Sequence, residues 1–140
     1  MTSAAHTAVL VHLLALLDTV PYLVIRRAQT APGELGTVDF DENLVTVSAE
    51  ADLPEFVVTL MHEVRHLRRG PCYEGDEEVD EAVVVDETTR LLVPDEALPE
   101  DLDTVDPRKL AAALGIDVQT ARHAIALARQ DRTSTIGKVA

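Results

Sequence analysis

The sequence has few aromatic side chains, a single cysteine and no long apolar run. Aromatic residues make up only 3% of the 140 residues, so the core must be built from alanine, valine and leucine. Cys72 cannot form an internal disulfide, which excludes a disulfide-stabilised fold and fits a reducing compartment. The first apolar run, Val9 to Leu17, is too short to cross a bilayer and follows no basic segment. We therefore expect a cytoplasmic protein without a signal peptide or a membrane partner.

Basic side chains are scarce outside the last quarter of the chain. The formal net charge is −13. Residues 1–107 contain 6 Lys or Arg against 23 Asp or Glu, whereas residues 108–140 contain 6 against 2. An acidic body repels nucleic acid. The composition therefore disfavours DNA binding and leaves only residues 108–132 as a segment through which it could occur.

The rest of the composition is that of one compact folded unit. Hydrophobic residues make up 46% and charged residues 26% of a chain whose length suits a single domain. Apolar side chains at helical spacing predict a helix over residues 4–18, ended by Pro21. Three short β-rich runs predict a small sheet, with the last two forming a hairpin: residues 22–25, 37–40 and 44–47.

The second half of the sequence predicts four helices and a turn-rich connector at 97–106. The helices are expected at residues 54–69, 77–92, 107–114 and 118–130. Pro54 and Glu55 suit the first turn of a helix, and Gly70 suits its end. On the second helix the expected core positions are Val79, Ala82, Val83, Leu91 and Leu92.

These elements predict an α+β fold that is mainly helical and contains a small β-sheet. We expect one domain over residues 1–106, a C-terminal helical pair over residues 107–132 and a flexible tail over residues 133–140. Neither a heptad repeat nor an apolar interface stripe indicates an oligomeric state.

Residues 62–66 read His-Glu-Val-Arg-His and lie within the first of these four helices. Residues four apart share one helix face, so His62 and His66 can direct both imidazoles at one metal ion. Glu63 is turned by about 100° from His62 and can act as a general base on an attacking water without being a ligand. Two incidental histidines on a surface helix are the alternative, but apolar neighbours predict a largely buried helix, where unpaired histidines would be costly. The motif therefore predicts a Zn²⁺ site.

A zinc ion held by two histidines needs a third protein ligand, and the segment that follows is rich in carboxylates. The candidates are Glu74, Asp76, Glu77, Glu78, Asp80, Glu81, Asp86 and Glu87. Most of them must form a solvated acidic face. Spacing alone does not choose among them.

From about residue 20 to residue 128 the sequence resembles the ImmA/IrrE family of metallo-endopeptidases, which cut or inactivate repressors in phages, mobile elements and stress responses. In that family a small sheet precedes the zinc helix, and the next helix carries a glutamate, then small residues with an aromatic, then Leu-Leu-hydrophobic-Pro. Here Glu81 and residues 88–94, Thr-Thr-Arg-Leu-Leu-Val-Pro, stand in that register. The resemblance implies a zincin-like fold with Glu81 as the third ligand, and Glu77 and Glu78 are the alternatives.

The sequence departs from the family pattern at a few positions. Glu87 and Thr88 replace the usual aromatic and alanine, and Val84 replaces another alanine. Arg65 carries a charge where zinc-peptidase helices usually have none, and we expect it to point away from the metal face, toward the acidic second helix.

The resemblance implies a zinc-dependent metallo-endopeptidase that hydrolyses a peptide bond in a protein substrate such as a transcriptional repressor. Tyr73 and His123 are the candidates for stabilising the oxyanion. The alternative is a DNA- or protein-binding regulator with a structural or degenerate metal site, because residues 107–132 also resemble a helix-turn-helix. Four basic side chains could then meet phosphates: Arg108, Lys109, Arg122 and Arg129.

Overall fold

A computed structural model describes residues 11, 14, 15, 17, 18, 20 and 22–139, with side chains up to Ser134. Over these residues the fold is α+β, with a three-stranded sheet and four helices, as the sequence predicts. Val11, Leu14, Ala15, Leu17 and Asp18 are helical; the rest of the helix predicted at 4–18 and its predicted end at Pro21 lie outside the described residues. No described helix is long and apolar enough to span a membrane.

The sheet consists of β1 (Val24–Ala28), β2 (Gly36–Asp39) and β3 (Leu44–Ser48) in the order β1-β3-β2. Strands β2 and β3 are antiparallel, which confirms the predicted hairpin, whereas β1 runs parallel to β3. The first strand begins two residues later than predicted because Tyr22 has a φ of 63°, outside the extended region that a strand requires. The central strand β3 is the buried one, and its Val45 and Val47 are fully enclosed.

Helix α1 (Leu53–Arg69) packs against strands β2 and β3 and carries the His-Glu-Val-Arg-His motif. It begins one residue before the predicted position, with a capping box in which the Asp52 carboxylate accepts from Glu55 N at 2.9 Å and Glu55 Oε1 accepts from Asp52 N at 3.0 Å. Gly70, at a φ of 82°, ends the helix as predicted. The side chains that α1 buries against β3 and the following helices are Leu60, Met61 and Val64.

Helix α2 (Glu77–Leu92) has the predicted bounds but a different buried face. Its buried residues are Val84, Thr88, Thr89 and Leu92. The prediction that Val79 and Ala82 belong to the core is wrong, since Val79 is 67% exposed and Ala82 is also exposed. Val83 and Leu91 are only partly buried. Acidic residues interrupt the apolar pattern of this helix, so its composition does not reveal that two threonines belong to the inward face.

The predicted connector contains two short 3-10 turns, Asp95–Ala97 and Leu102–Thr104, and the C-terminal helical pair follows as α3 (Pro107–Leu114) and α4 (Val118–Val139). Gly115, at a φ of 72°, supplies the left-handed residue that ends α3. Leu114, Ala121 and Ile125 of this pair join the same hydrophobic cluster as Val45 and Met61. The predicted boundary near residue 107 therefore does not separate two cores.

Helix α4 continues to Val139, nine residues past the predicted end at 130. Two side-chain anchors hold this part of the helix. Arg90 of α2 forms a two-point contact with Asp131 at 2.9 and 3.0 Å. Arg132 contacts Asp95 Oδ1 at 3.0 Å and the backbone oxygens of Pro99 and Glu100. These long-range contacts hold residues 131 and 132, just past the predicted end of the helix, against distant parts of the chain.

Close packing between β2 and α1 leaves no room for a side chain at residue 36. A Cβ atom on Gly36 would lie 2.6 Å from Thr59 Cγ2, 3.0 Å from Glu63 Cγ and 3.2 Å from the Thr46 carbonyl oxygen. We expect Gly36→Ala to lower the free energy of unfolding by about 1–3 kcal/mol, because α1 must shift away from the sheet. Urea denaturation of the single variant measures this loss.

The closest obstacle is a methyl group, which provides a rescue control. Thr59→Ser removes Cγ2, so the Gly36→Ala/Thr59→Ser double variant should recover part of the lost stability, a coupling of about 0.5 kcal/mol or more. Equal stability of Gly36→Ala and the wild type would show that α1 does not pack this closely on β2.

Candidate metal centre

Three predicted ligands converge at the contact between α1 and α2. The Nε2 atoms of His62 and His66 lie 3.2 Å apart. The Glu81 carboxylate spans them, with Oε1 2.8 Å from His62 Nε2 and Oε2 2.7 Å from His66 Nε2. Each residue offers one ligand atom, and these atoms all lie within 4.8 Å of one another. The structure therefore brings His62, His66 and Glu81 into one group.

This convergence follows from helix geometry and helix packing. The two histidines are one turn apart on α1, so their rings lie side by side and meet edge to face, with centroids 4.8 Å apart. Glu81 comes from the second turn of α2, which crosses that face of α1. The side chains of His62 and His66 are 18% and 17% exposed, whereas that of Glu81 is 53% exposed. The group is therefore enclosed on the α1 side and open to solvent on the α2 side.

The donor set fits a metal ion. Two ligands at about 2.0–2.1 Å from a tetrahedral ion lie about 3.3 Å apart, close to the separation of the two Nε2 atoms. Burial lowers the pKa of His62, and the lowering outweighs the opposing attraction of Glu81. A lowered pKa favours the neutral imidazole, which is the form that binds a metal. His62, His66 and Glu81 could therefore hold a metal ion.

Glu63 lies beside this group but is not a member of it. Burial raises the pKa of its carboxyl from the usual 4.5 to about 7; His66 opposes the rise, and the charges of Glu81 and Glu34 add to it. The Glu63 side chain packs closely on strand β2, since a Cβ atom on Gly36 would lie 3.0 Å from Glu63 Cγ. A carboxyl that changes protonation near neutral pH next to a metal-ligand group is suited to accept a proton from water.

Asp80 is a member of the site that sequence reasoning did not single out. Its Oδ2 lies 3.3 Å from His66 Nδ1, the ring nitrogen opposite the one that faces Glu81. Its Oδ1 accepts from Arg69 Nε at 2.9 Å, and its side chain is only 13% exposed. A carboxylate at Nδ1 favours the tautomer in which Nε2 is free to bind a metal. In the sequence Asp80 was one of eight nearby carboxylates, and no local signal distinguished it.

Arg65 points away from the ligand group, as expected. Its Nε contacts Glu87 Oε2 on α2. Glu87 also approaches Arg69, with 3.8 Å between Oε1 and Nη1. Two arginines and two carboxylates thus alternate along a chain of ion pairs that ends at His66: Arg65, Glu87, Arg69 and Asp80. Arg65 therefore takes part in the ion pairs behind His66 and does not face the candidate metal ligands.

The structure does not bring the alternative ligands into the group. Glu78 is exposed, and Glu77 Oε2 instead accepts from Gly75 N at 2.8 Å. Of the two oxyanion candidates, Tyr73 is 85% exposed on the loop before α2. His123, by contrast, lies with Nε2 2.8 Å from Asp86 Oδ1 and lines the same cleft as His62.

The basic side chains of the helical pair are partly committed to internal contacts. Arg129 pairs with Asp103 at 2.8 Å, whereas Arg108, Lys109 and Arg122 lie at exposed positions.

Comparison of the chain with models of known protein families and with characterised proteins finds no match. The geometry of the site is therefore the basis of the functional argument.

The raised pKa of Glu63 predicts how the stability of the metal-free protein depends on pH. The folded protein keeps this proton up to about pH 7, whereas the unfolded chain loses it near pH 4.5, so Glu63 lowers stability as pH rises between these values. Glu63→Gln should therefore match the wild type below pH 4.5 and become more stable by about 1–2 kcal/mol at pH 8, after allowance for solvent access. Denaturation at several pH values measures the difference. The control is Glu74→Gln on the exposed loop, a surface change that should alter the free energy of unfolding at pH 8 by less than about 0.5 kcal/mol.

The contact between Asp80 and His66 predicts a second measurable effect. Asp80→Asn should weaken Zn²⁺ and Co²⁺ binding by about 10- to 100-fold, because the support of His66 Nδ1 is lost. Competition with a chromophoric chelator measures the affinity. Glu78→Gln is the matched control, since it removes a carboxylate from the same helix and should leave the affinity unchanged. Equal affinities for all three proteins would refute the role of Asp80.

Proposed function

We propose that this protein is a zinc-dependent metallo-endopeptidase of the ImmA/IrrE type, with a zincin-like fold. The observation that carries the proposal is the convergence of two histidine Nε2 atoms and one carboxylate beside a second carboxyl, Glu63, whose pKa is raised to about 7. Two imidazoles and one carboxylate form the ligand set of many catalytic zinc sites, which keep a further position open. The solvent-facing side at Glu81 is consistent with an open position.

Each residue of the site would have a distinct role in peptide-bond hydrolysis. His62, His66 and Glu81 would hold zinc, which when bound polarises a carbonyl and makes water easier to deprotonate. Glu63 would accept a proton from the attacking water and deliver it to the leaving amine. Its partly buried carboxyl suits both steps, because a pKa near the working pH allows it to gain and lose a proton readily. Asp80 would keep His66 in the required orientation.

Strand β2 provides a place for the backbone of a protein substrate. It is an edge strand of the described sheet, paired on one side with β3. Its Gly36 packs against the stem of Glu63. An extended peptide that adds to such an edge gains backbone hydrogen bonds that do not depend on its sequence. This arrangement would bring a peptide bond close to the carboxyl that accepts the proton and supports a protein as the substrate.

A cytoplasmic transcriptional repressor is the substrate that the family resemblance suggests. The acidic body of the chain favours a substrate segment without strong negative charge. The competing function, a DNA-binding regulator with a structural or degenerate metal site, gains little from the helical pair. One of its four candidate phosphate contacts, Arg129, is engaged by Asp103. Three others at exposed positions carry too little charge to offset the rest of the chain.

Metal analysis combined with two substitutions tests the proposed function. We expect the wild type to bind one zinc ion, Glu81→Ala to lose most of its affinity, and Glu63→Gln to keep the metal. Glu63→Gln should lower the cleavage of the repressor substrate by at least about 100-fold, because the base is removed. Mass spectrometry of the repressor fragments and zinc content are the two measurements.

Each failure points to a different error. Zinc bound equally well by Glu81→Ala would show that the third ligand is another residue. Repressor cleavage that survives Glu63→Gln in the zinc-bearing protein would exclude this peptidase mechanism. The matched control for Glu81→Ala is Glu78→Ala, which alters a neighbouring carboxylate outside the ligand group.

A further inference from the structure

A cleft of about 340 Å³ adjoins the metal-ligand group, between α1, α2 and the start of α4. His62 lines this cleft and also belongs to the ligand group, so the cleft and the group are continuous. Val58 lines the cleft one turn earlier on α1, on the same helix face as His62. A peptide whose carbonyl oxygen is held at the ligand group would therefore have a neighbouring side chain at the cleft.

Two valines supply the apolar part of the cleft wall. Val58 comes from α1 and Val85 from α2, and both remain only partly buried although they lie between packed helices. Their accessible methyl groups contact water in the free protein. An apolar side chain that covers them removes apolar surface from water on both sides of the contact, which is favourable.

The two threonines of the α2 wall have no hydroxyl group that an occupant can use. Thr88 is 2% exposed, and its Oγ1 has less than 1 Å² of accessible surface. Thr89 is 4% exposed, and its Oγ1 donates to the Val85 carbonyl oxygen at 2.7 Å. A bound side chain therefore gains no hydrogen bond from this wall.

The polar groups on the α4 side also favour an apolar occupant. His123 Nε2 lies 2.8 Å from Asp86 Oδ1, and Asp117 Oδ1 accepts from Thr120 N at 2.6 Å. A charged side chain would lose its water without finding an unpaired charge there, which is costly. The Gln119 and Thr120 side chains are accessible to water, so a hydrogen bond to either replaces one to water and adds little affinity.

We infer that this cleft is a specificity subsite that binds a large aliphatic side chain of the peptide substrate: leucine, isoleucine or methionine at a residue flanking the scissile bond. The side chain covers the methyl groups of Val58 and Val85, while the backbone beside it keeps a carbonyl oxygen at the ligand group. This inference rests on the proposed peptidase function and specifies its substrate class. Val58 and Val85 are the specificity-determining residues in this scheme.

Amino acid hydroxamates test the subsite without a known substrate, because the hydroxamate group chelates zinc and leaves the side chain to enter the neighbouring cleft. The probes are the hydroxamates of glycine, leucine and glutamine, titrated calorimetrically into the full chain loaded with zinc. We expect leucine hydroxamate to bind about 10- to 100-fold more tightly than glycine hydroxamate, since its isobutyl group is removed from water. Glutamine hydroxamate should bind within about threefold of glycine hydroxamate.

Val85→Gln tests whether the leucine preference arises in this cleft. The substitution places a polar side chain in the wall and leaves the backbone oxygen to which Thr89 donates. It should reduce the preference for leucine over glycine hydroxamate to about threefold or less. Val79→Gln is the matched control, the same change at a position of α2 that is 67% exposed, and should leave the preference unchanged. If Val85→Gln does not fold, Val85→Ala should still reduce the preference by about threefold.

The inference and the proposed function fail in different ways. Equal binding of leucine and glycine hydroxamate to the wild type overturns the inference, as does tighter binding of glutamine than of leucine hydroxamate. A leucine preference that is unchanged by both substitutions of Val85 overturns it as well. Failure of the proposed function would appear in the zinc content and in the Glu63→Gln measurements. In that case glycine hydroxamate would not show zinc-dependent binding either, and the inference would fall with the proposed function.

Discussion

Burial of Leu60, Met61 and Val64 fixes how α1 is rotated about its own axis, and the rest of the site depends on that rotation. Once these three side chains enter the core, the histidines must emerge toward α2. Glu63 is then turned toward strand β2. At position 36 of that strand, glycine is the only residue type that allows α1 to pack so closely. The hydrophobic face of one helix thus positions a group of polar side chains that could hold a metal ion. A rotation of one residue, about 100°, would separate the ligands from Glu81 entirely.

Electrostatic complementarity between α1 and α2 also helps to orient the side chains of the site. The acidic residues of α2 would repel one another on an isolated helix, but basic side chains in the last turns of α1 neutralise several of them. Arg65 and Arg69 hold Glu87 and Asp80, and Asp80 in turn reaches His66. The chain of contacts links a partly buried ion-pair network to the orientation of His66, a candidate metal ligand. It also explains why a charged residue is acceptable within the motif.

Local patterns predicted the elements well where caps, turns and strict periodicity agree. The hairpin, the bounds of α2, the end of α1 at Gly70 and, within one residue, its start follow from such signals. Prediction failed where tertiary contacts override a weak pattern. Val79 was expected in the core and is exposed, while two threonines occupy the inward face of α2. Helix α4 extends past its predicted end, and Arg90 and Arg132 connect residues 131 and 132 to distant parts of the chain.

The sequence by itself determined that His62 and His66 share one helix face, since a spacing of four residues dictates this wherever the helix packs. It also placed Glu63 beside them, and resemblance to a known family selected Glu81. Only the tertiary structure decided that Asp80 is the carboxylate that reaches His66 Nδ1, and that Thr88 and Thr89 belong to the inward face of α2. The reason is physical. Contacts within a helix follow from its fixed geometry, whereas contacts between helices depend on the relative position of two backbones, which the whole core sets.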